Sequence, residues 1–304
     1  MITDLSRATQ VNRNLVCSLK SGMINSNGFS EKTLKILVCN DDGIYSEGIW
    51  SLARELKKTA DVSVVAPDRD FSGSGTSITL RHPLRMRDIK SPVDGVIAHS
   101  VEGTPADSVI LALRLILKEG VDLVVSGINE GPNLGDDIYV SGTVGAALQG
   151  FFYGIPALAF SIAAFGDLHF DVAAKLARVI VSELKNKGVP GRMLWNVNLP
   201  NLPADKLEGI EVTRLGERKY VDRVEPGHDG KREYHWIMRG KPEWKVDLGT
   251  DIWALENNRI SITPLFGNPN DYSRDLLIKV APRIFGKLLE TDNSKMKGSN
   301  QCQK

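Results

Sequence analysis

Two adjacent acids, Asp41 and Asp42, sit between Asn40 and Gly43 directly after the run Leu34 to Cys39 (LKILVC). Four of the six residues in that run are apolar, which fits a short buried parallel strand. In an open parallel sheet, ligands lie beyond the carboxyl ends of the strands, so paired carboxylates here stand where chemistry is usually done. Side chains that diverge along a strand can converge in a turn. Two converging carboxylates repel unless a cation lies between them, and hard oxygen donors suit Mg²⁺, Mn²⁺ or Ca²⁺. An Asx turn in which Asp41 or Asp42 caps the next helix fits the same residues, and the stretch alone leaves both readings open.

Two further stretches are rich in oxygen and poor in bulk. Pro67 to Ser77 carries Ser72, Gly73, Ser74, Gly75 and Thr76. Its unhindered amides and hydroxyls suit an anion-binding nest, although a flexible connection has the same composition. Its Gly-x-Gly follows the second strand and lacks a third glycine, so it is a poor dinucleotide fingerprint. Ser126 to Gly142 (SGINEGPNLGDDIYVSG) offers Asn129, Asn133, Asp136, Asp137 and Ser141, with Thr143 just beyond, and reads as a long polar loop too costly to order without a purpose. None of His82, His99, His169, His228 or His235 falls in these stretches, so a histidine acid is not indicated.

The elements needed to position these loops are legible. Ile49, Leu52, Ala53 and Leu56 recur at helical spacing, and Val62 to Ala66 forms a second strand, which completes a βαβ unit. Thr104, Pro105 and Asp107 mark a helix start, with an apolar body to Leu117. Val121 to Val125 is a strand, Thr143 to Phe152 a small-residue helix, Ile155 to Ser161 a strand, Phe170 to Lys187 an amphipathic helix and Met193 to Leu199 another strand. Beyond Gly209, the alternating segments Glu211 to Leu215, Glu233 to Arg239 and Trp253 to Thr263 predict β-hairpin arms. Asp271 to Leu289 predicts a closing helix bent at Pro282. The expected organisation is a polar extension over 1–33, an α/β catalytic core over 34–206, a β-arm region over 207–265, a helix over 266–290 and a solvated tail over 291–304.

With 304 residues, 42% of them hydrophobic, the chain can bury one large core. Its 38 basic residues nearly balance 37 acidic ones and no basic block stands out, which argues against a nucleic-acid surface. The apolar runs are too short to cross a membrane. Cys17, Cys39 and Cys302 are scattered without metal-ligand spacing, as expected in a reducing cytoplasm.

The blocks ILVCNDDGI (Ile36 to Ile44), APDRDFSG (Ala66 to Gly73), SIT (Ser77 to Thr79), EGTPADSV (Glu102 to Val109), VSGINEGPNLGDDIYVSGTVGAA (Val125 to Ala147) and SITPL (Ser261 to Leu265) together resemble the SurE (survival protein E) family of metal-dependent 5'/3'-nucleotidases. The resemblance implies a three-layer Rossmann-like, mostly parallel sheet with extended β-hairpin arms. It implies one divalent ion per subunit, Mg²⁺, Mn²⁺ or Co²⁺, on Asp41, Asp42, Ser72 and Asn129, with Asp41, Asp42 and Asn129 doing the chemistry. Asn40, Gly73, Ser74, Gly75, Thr76, Ser141, Gly142 and Thr143 would hold the phosphate. The implied substrates are nucleoside monophosphates and short-chain polyphosphate. The implied assembly is a homodimer or homotetramer through the arms.

Phe71 and Glu130 depart from the family's pattern, since a basic residue often precedes the metal-binding serine and a basic or neutral one commonly follows the asparagine. Both changes make the pocket less positive and bear on affinity for polyanions. Two other classes stand as alternatives: a non-catalytic nucleotide-binding protein, and a dinucleotide-dependent oxidoreductase, which the missing G-x-G-x-x-G after the first strand disfavours.

Overall fold

The computed structural model describes residues 33–164, 166–219, 222–239, 243–266 and 272–299. The expected polar extension, apart from residue 33, lies outside the described residues.

The run after Leu34 forms β1 (Lys35–Cys39), followed by α1 (Glu47–Lys57) and β2 (Asp61–Pro67). Next come β3 (Met86–Asp88), β4 (Ile97–Val101), α2 (Pro105–Leu111), β5 (Leu123–Glu130), α3 (Gly142–Phe152), β6 (Ala157–Ile162), α4 (Phe170–Lys187) and β7 (Leu194–Leu199). The remainder comprises β8 (Ile210–Val212), β9 (Arg218–Lys219), β10 (Asp222–His228), β11 (Glu233–Arg239), β12 (Glu243–Trp244), α5 (Asp251–Glu256), β13 (Ile260–Pro264) and α6 (Tyr272–Ser299).

The main sheet runs β3, β4, β2, β1, β5, β6, β7, β13, β8. β4, β2, β1, β5, β6 and β7 are mutually parallel, while β3 and β13 run antiparallel to their neighbours β4 and β7. From β1 the chain proceeds to β2 on one side, and after β4 it crosses to β5 on the other. The order therefore reverses between β1 and β5, the place where an open α/β sheet opens a crevice at its carboxyl edge.

Both faces of this sheet are covered, which is why β1 reads as a continuous apolar run. Ile36 and Val38 belong to one core shared with Ile49, Leu52 and Leu56 of α1, Leu176 and Ile180 of α4 and Leu277 and Ile284 of α6. Leu37 and Cys39 face the other way, into Val109 of α2 and Val144, Ala147 and Phe151 of α3. Two-residue alternation along β1 thus feeds both cores. The ion pairs from buried Glu183 of α4 to Arg283 (3.4 Å) and Lys287 fasten α6 over the first of them.

Three expectations are corrected. The helix expected to reach Leu117 ends as α at Leu111 and continues as a π-helical turn, Ala112–Ile116. The segment 253–263, expected as one strand, is the end of α5 followed by β13, because Thr250 caps a helix by accepting from Trp253 N–H at 3.2 Å. The closing helix runs on to Ser299, past both the expected end at Leu289 and the 291 boundary of the expected tail. In the arm region β10 and β11 pair antiparallel over seven residue pairs and expose Val224, Trp236 and Ile237. β8 and β13 belong to the main sheet.

Candidate active site

Four segments meet at the carboxyl edge around β1. The first is the turn Asn40 to Gly43. Asn40 is fully buried, and its Nδ2 donates to Gly43 O (3.0 Å) and Ser46 Oγ (2.8 Å). The residue expected to touch substrate therefore folds the turn, while its Oδ1 stays buried without a hydrogen-bond partner. Ile44 N–H donates to Pro67 O at 2.8 Å and Phe71 N–H to Asp41 O at 2.8 Å, which ties the acidic turn to the end of β2.

The second segment is the loop after β2. Asp70 Oδ1 accepts from Ser72 N–H (2.7 Å) and from Ser72 Oγ (2.6 Å), an Asx turn that spends the serine's proton locally and leaves oxygen lone pairs. Of the loop amides expected to cradle phosphate, Ser74 N–H bonds Phe71 O (3.0 Å) and Gly75 N–H bonds Val140 O (2.9 Å). Among the described residues, only Gly73 and Thr76 of that set keep amides without a protein partner. Ser74 Oγ is buried and unpaired. The capping box of α2 anchors the far side of this loop: Thr104 Oγ1 donates to Ser77 O (2.7 Å), and Asp107 Oδ1 accepts from Thr79 N–H (2.9 Å). Arg69 lies over the Phe71 ring at 4.9 Å, which holds a cation beside that ring.

The third is the end of β5. Asn129 is a strand residue here, a correction to the expected loop: β5 continues to Glu130 past a register shift against β6 between Ser126 and Asn129, with Ile128 fully buried. Both amide hydrogens of Asn129 are committed, to Gly131 O (2.7 Å) and Glu130 O (3.2 Å), so the atom left for a ligand is Oδ1. Beyond β5 a buried polar cluster, unforeseen from sequence, holds the loop onto the sheet. Asn133 N–H donates to Asn198 Oδ1 (2.8 Å), Asn133 Nδ2 to Ser161 Oγ (2.8 Å), and Asn196 Nδ2 to Asn133 O (2.8 Å).

The fourth is the start of α3. Ser141 caps it by accepting from Val144 N–H at 3.1 Å, and Thr143 Oγ1 donates to Asp41 Oδ1. Gly142 is required by contact, since a Cβ there would lie 2.7 Å from Asp41 Cβ and 2.9 Å from Ser74 Oγ. Asp41, Ser74 and Gly142 are therefore immediate neighbours. Ser141 and Thr143, expected as phosphate contacts, serve the helix and the acid.

Electrostatics in this crevice follow from burial. Asp41 is 3% exposed, and burial pushes its carboxyl up from the ordinary range against hydrogen bonds from the Thr143 hydroxyl and amide. Asp42 is pushed up to about 8, first by burial and then by repulsion from Asp41, Asp70 and Glu130. Its Oδ2 is buried without a partner. Asp70, not expected at the site, and Glu130, expected to make the pocket less positive, thus bear on the acidic pair. Among the described residues, no group of three His, Cys, Asp or Glu side chains is placed to hold an ion, so an ion here would rely on amide and hydroxyl oxygens beside two carboxylates. No helix among the described residues is long and apolar enough to cross a membrane.

An open α/β sheet with buried acids, hydroxyls and a helix N-terminus converging where its strand order reverses defines a Rossmann-like protein with a polar ligand site at the switch point. A family model described as Survival protein SurE matches residues 36–222. Proteins named 5'-nucleotidase SurE from Dehalococcoides mccartyi (strain CBDB1) and from Aquifex aeolicus are 45% and 46% identical to this chain, over 76% and 78% of it and 88% and 93% of their own lengths. The crystal structure of the Aquifex aeolicus SurE protein superposes with a TM-score of 0.66 at 43% identity, covering 84% of this chain and 99% of that one. The chain belongs to the SurE family.

Proposed function

We propose that this chain is a divalent-metal-dependent 5'-nucleotidase that hydrolyses nucleoside monophosphates to nucleoside and phosphate. Two kinds of support meet here: relatives named 5'-nucleotidase that align over most of their length, and a crevice in which the buried Asn40 Oδ1, Asp42 Oδ2 and Ser74 Oγ have no protein partner.

The donor set fits a hard cation. Asp42 Oδ2 and Asn40 Oδ1 are buried acceptors without donors, and Asp42 is pushed up to about 8 first by burial and then by repulsion, which a cation would relieve. Asp41, Asp42, Ser72 and Asn129 Oδ1 would hold the ion, with Mg²⁺, Mn²⁺ and Co²⁺ as candidates. When bound, the ion supplies charge neutralisation and Lewis-acid activation at phosphorus.

The chain's own groups do the rest. The Thr143 hydroxyl fixes the Asp41 carboxylate, so its geometry is set before substrate arrives. Free amides at Gly73 and Thr76 and the unpaired Ser74 hydroxyl are donors suited to phosphoryl oxygens. The helix dipole of α3 favours negative charge at the same edge. Asp41 or Asp42, both at the same turn, would take a proton from attacking water. Arg69 on Phe71 keeps a positive charge at the rim, which keeps short polyphosphate among the candidate substrates. The exposed Trp236 and Ile237 of the β10–β11 arm suit a homodimer or homotetramer, and the scattered cysteines suit the cytoplasm.

The test is phosphate release from a panel of mononucleotides and short polyphosphate with Mg²⁺, Mn²⁺ or Co²⁺, and with chelator. Release from at least one monophosphate that chelator abolishes is the expected outcome. No metal-dependent release from any monophosphate overturns the reading.

A further inference from the structure

Asp251, the first residue of α5, is fully buried, and its carboxylate accepts three backbone N–H groups. Oδ2 takes Gly135 N–H at 2.8 Å, and Oδ1 takes Gly216 N–H at 2.8 Å and Ile252 N–H at 2.9 Å. Burial pushes this carboxyl up and the amides pull it back. A buried acid is costly, and α5 does not need one as its cap, because Thr250 already provides it. What the carboxylate adds is a joint between two distant segments.

The first segment is part of the site. Gly135 opens a 3-10 turn, Gly135–Tyr139, in the left-handed region at φ 51°. That turn passes through Asp137 N–H to Leu134 O (3.0 Å) and Val140 N–H to Asp137 O (3.1 Å). It ends where Val140 O receives Gly75 N–H (2.9 Å), Ser141 caps α3 and Thr143 reaches Asp41. The second segment is the root of the arm. Gly216 precedes β9 by two residues, and β9 pairs with β12 below the β10–β11 hairpin. A parallel bridge between Arg214 and Thr250, with Asp251 N–H on Arg214 O at 2.9 Å, braces the same junction.

We propose that Asp251 is a positioning residue for the nucleotidase site: one oxygen holds the turn that seats the phosphate loop and Thr143, the other holds the arm root, so the seating of the arm is transmitted to the catalytic loop. This rests on the nucleotidase reading above.

The test compares Asp251→Asn with Thr250→Ala in the full chain. In Asp251→Asn the shape is kept, but an NH₂ group replaces one acceptor and opposes a backbone N–H. We expect kcat to fall about tenfold or more with a change in KM of less than about threefold, as for a misplaced catalytic group. Thr250→Ala weakens the cap of the same helix and lowers Tm, but leaves kcat within about twofold. Hydrogen exchange supplies a readout independent of activity: amides over 134–141 and 72–76 exchange faster in Asp251→Asn and not in Thr250→Ala. Equal effects of the two variants on kcat, or unchanged exchange over 72–76 in Asp251→Asn, overturn the proposal. If the unmodified chain releases no phosphate, the nucleotidase reading fails, and the exchange comparison still decides whether the joint exists.

Discussion

The hydroxyl of Thr143, in the first turn of α3, donates to the buried carboxylate of Asp41 just beyond β1, across 102 residues of sequence. One bond therefore joins the two sides of the crevice. Thr143→Val keeps the shape and removes the donor. It should lower kcat about tenfold and cost about 1–3 kcal/mol of stability, the usual penalty for stranding a buried polar group. Steady-state kinetics and denaturant unfolding check both, and wild-type values on both counts would discard the assignment.

Asp41→Asn removes the charge that an ion needs while keeping volume and one acceptor. Turnover should fall by at least about 100-fold, as for loss of a metal ligand or its support. A variant that still turns over close to the parent rate shows that Asp41 holds no ion.

Gly142→Ala tests close approach rather than chemistry. The added methyl would press on Asp41 Cβ at 2.7 Å, an atom fixed to the backbone, and on Ser74 Oγ at 2.9 Å, which would have to rotate away. Phosphate release should drop about tenfold or more while far-ultraviolet circular dichroism stays unchanged, since a misplacement of about 1 Å suffices for such a loss. Full activity would mean that these three residues are looser than their spacing indicates.

Protonation of Asp42 gives a prediction with a definite sign. Its folded value of about 8 lies above the ordinary 3.8, so the folded state holds this proton more tightly than the unfolded chain. In chelator-treated protein its contribution to stability is complete below about pH 4 and is lost as pH rises toward about 8. A cation must displace the proton, so the Tm gain given by Mn²⁺ should grow between about pH 6 and about pH 8, and ion affinity should rise by up to about tenfold per pH unit. Asp42→Asn should flatten both trends. Scanning calorimetry at several pH values decides, and equal Mn²⁺ gains throughout would refute the linkage.

How much of this was legible in the residues depends on how local the cause was. β1, β2 and the start of α2 follow from an apolar run and a Thr-Pro-x-Asp cap, signals carried within a few positions, and the structure has them there. Asn129 was expected in a loop because Gly127 and Gly131 flank it, whereas β5 carries it as a strand residue supported by β6, a neighbour that sequence alone does not supply. The end of α5 falls within 253–263, which reads as an alternating strand segment, whereas Ile252, Trp253, Ala254 and Leu255 form an unbroken apolar run that fits either element. The Thr250–Asp251 pair was the available cap signal. Asn40, Ser141 and Thr143, expected on the phosphate, have the turn, the helix and an acid as their partners within the protein. A small polar residue shows its capacity to bond in its type and its partner only in the fold. Asp251 could not have been found by spacing, since the residues it joins are 116 and 35 positions away.

The position of β1 in the middle of the sheet, with its acidic turn resting on both neighbouring strands, has a consequence for heat inactivation. Residues that must come together for turnover hang from β1, β2 and β5, so catalytic competence should survive until these three separate and vanish in the same transition as the core. The exposed ladder of β10 and β11 lies outside these strands and is free to fray earlier while Asp251 keeps its root seated, so warming just short of melting should loosen the outer arm before it stops the chemistry.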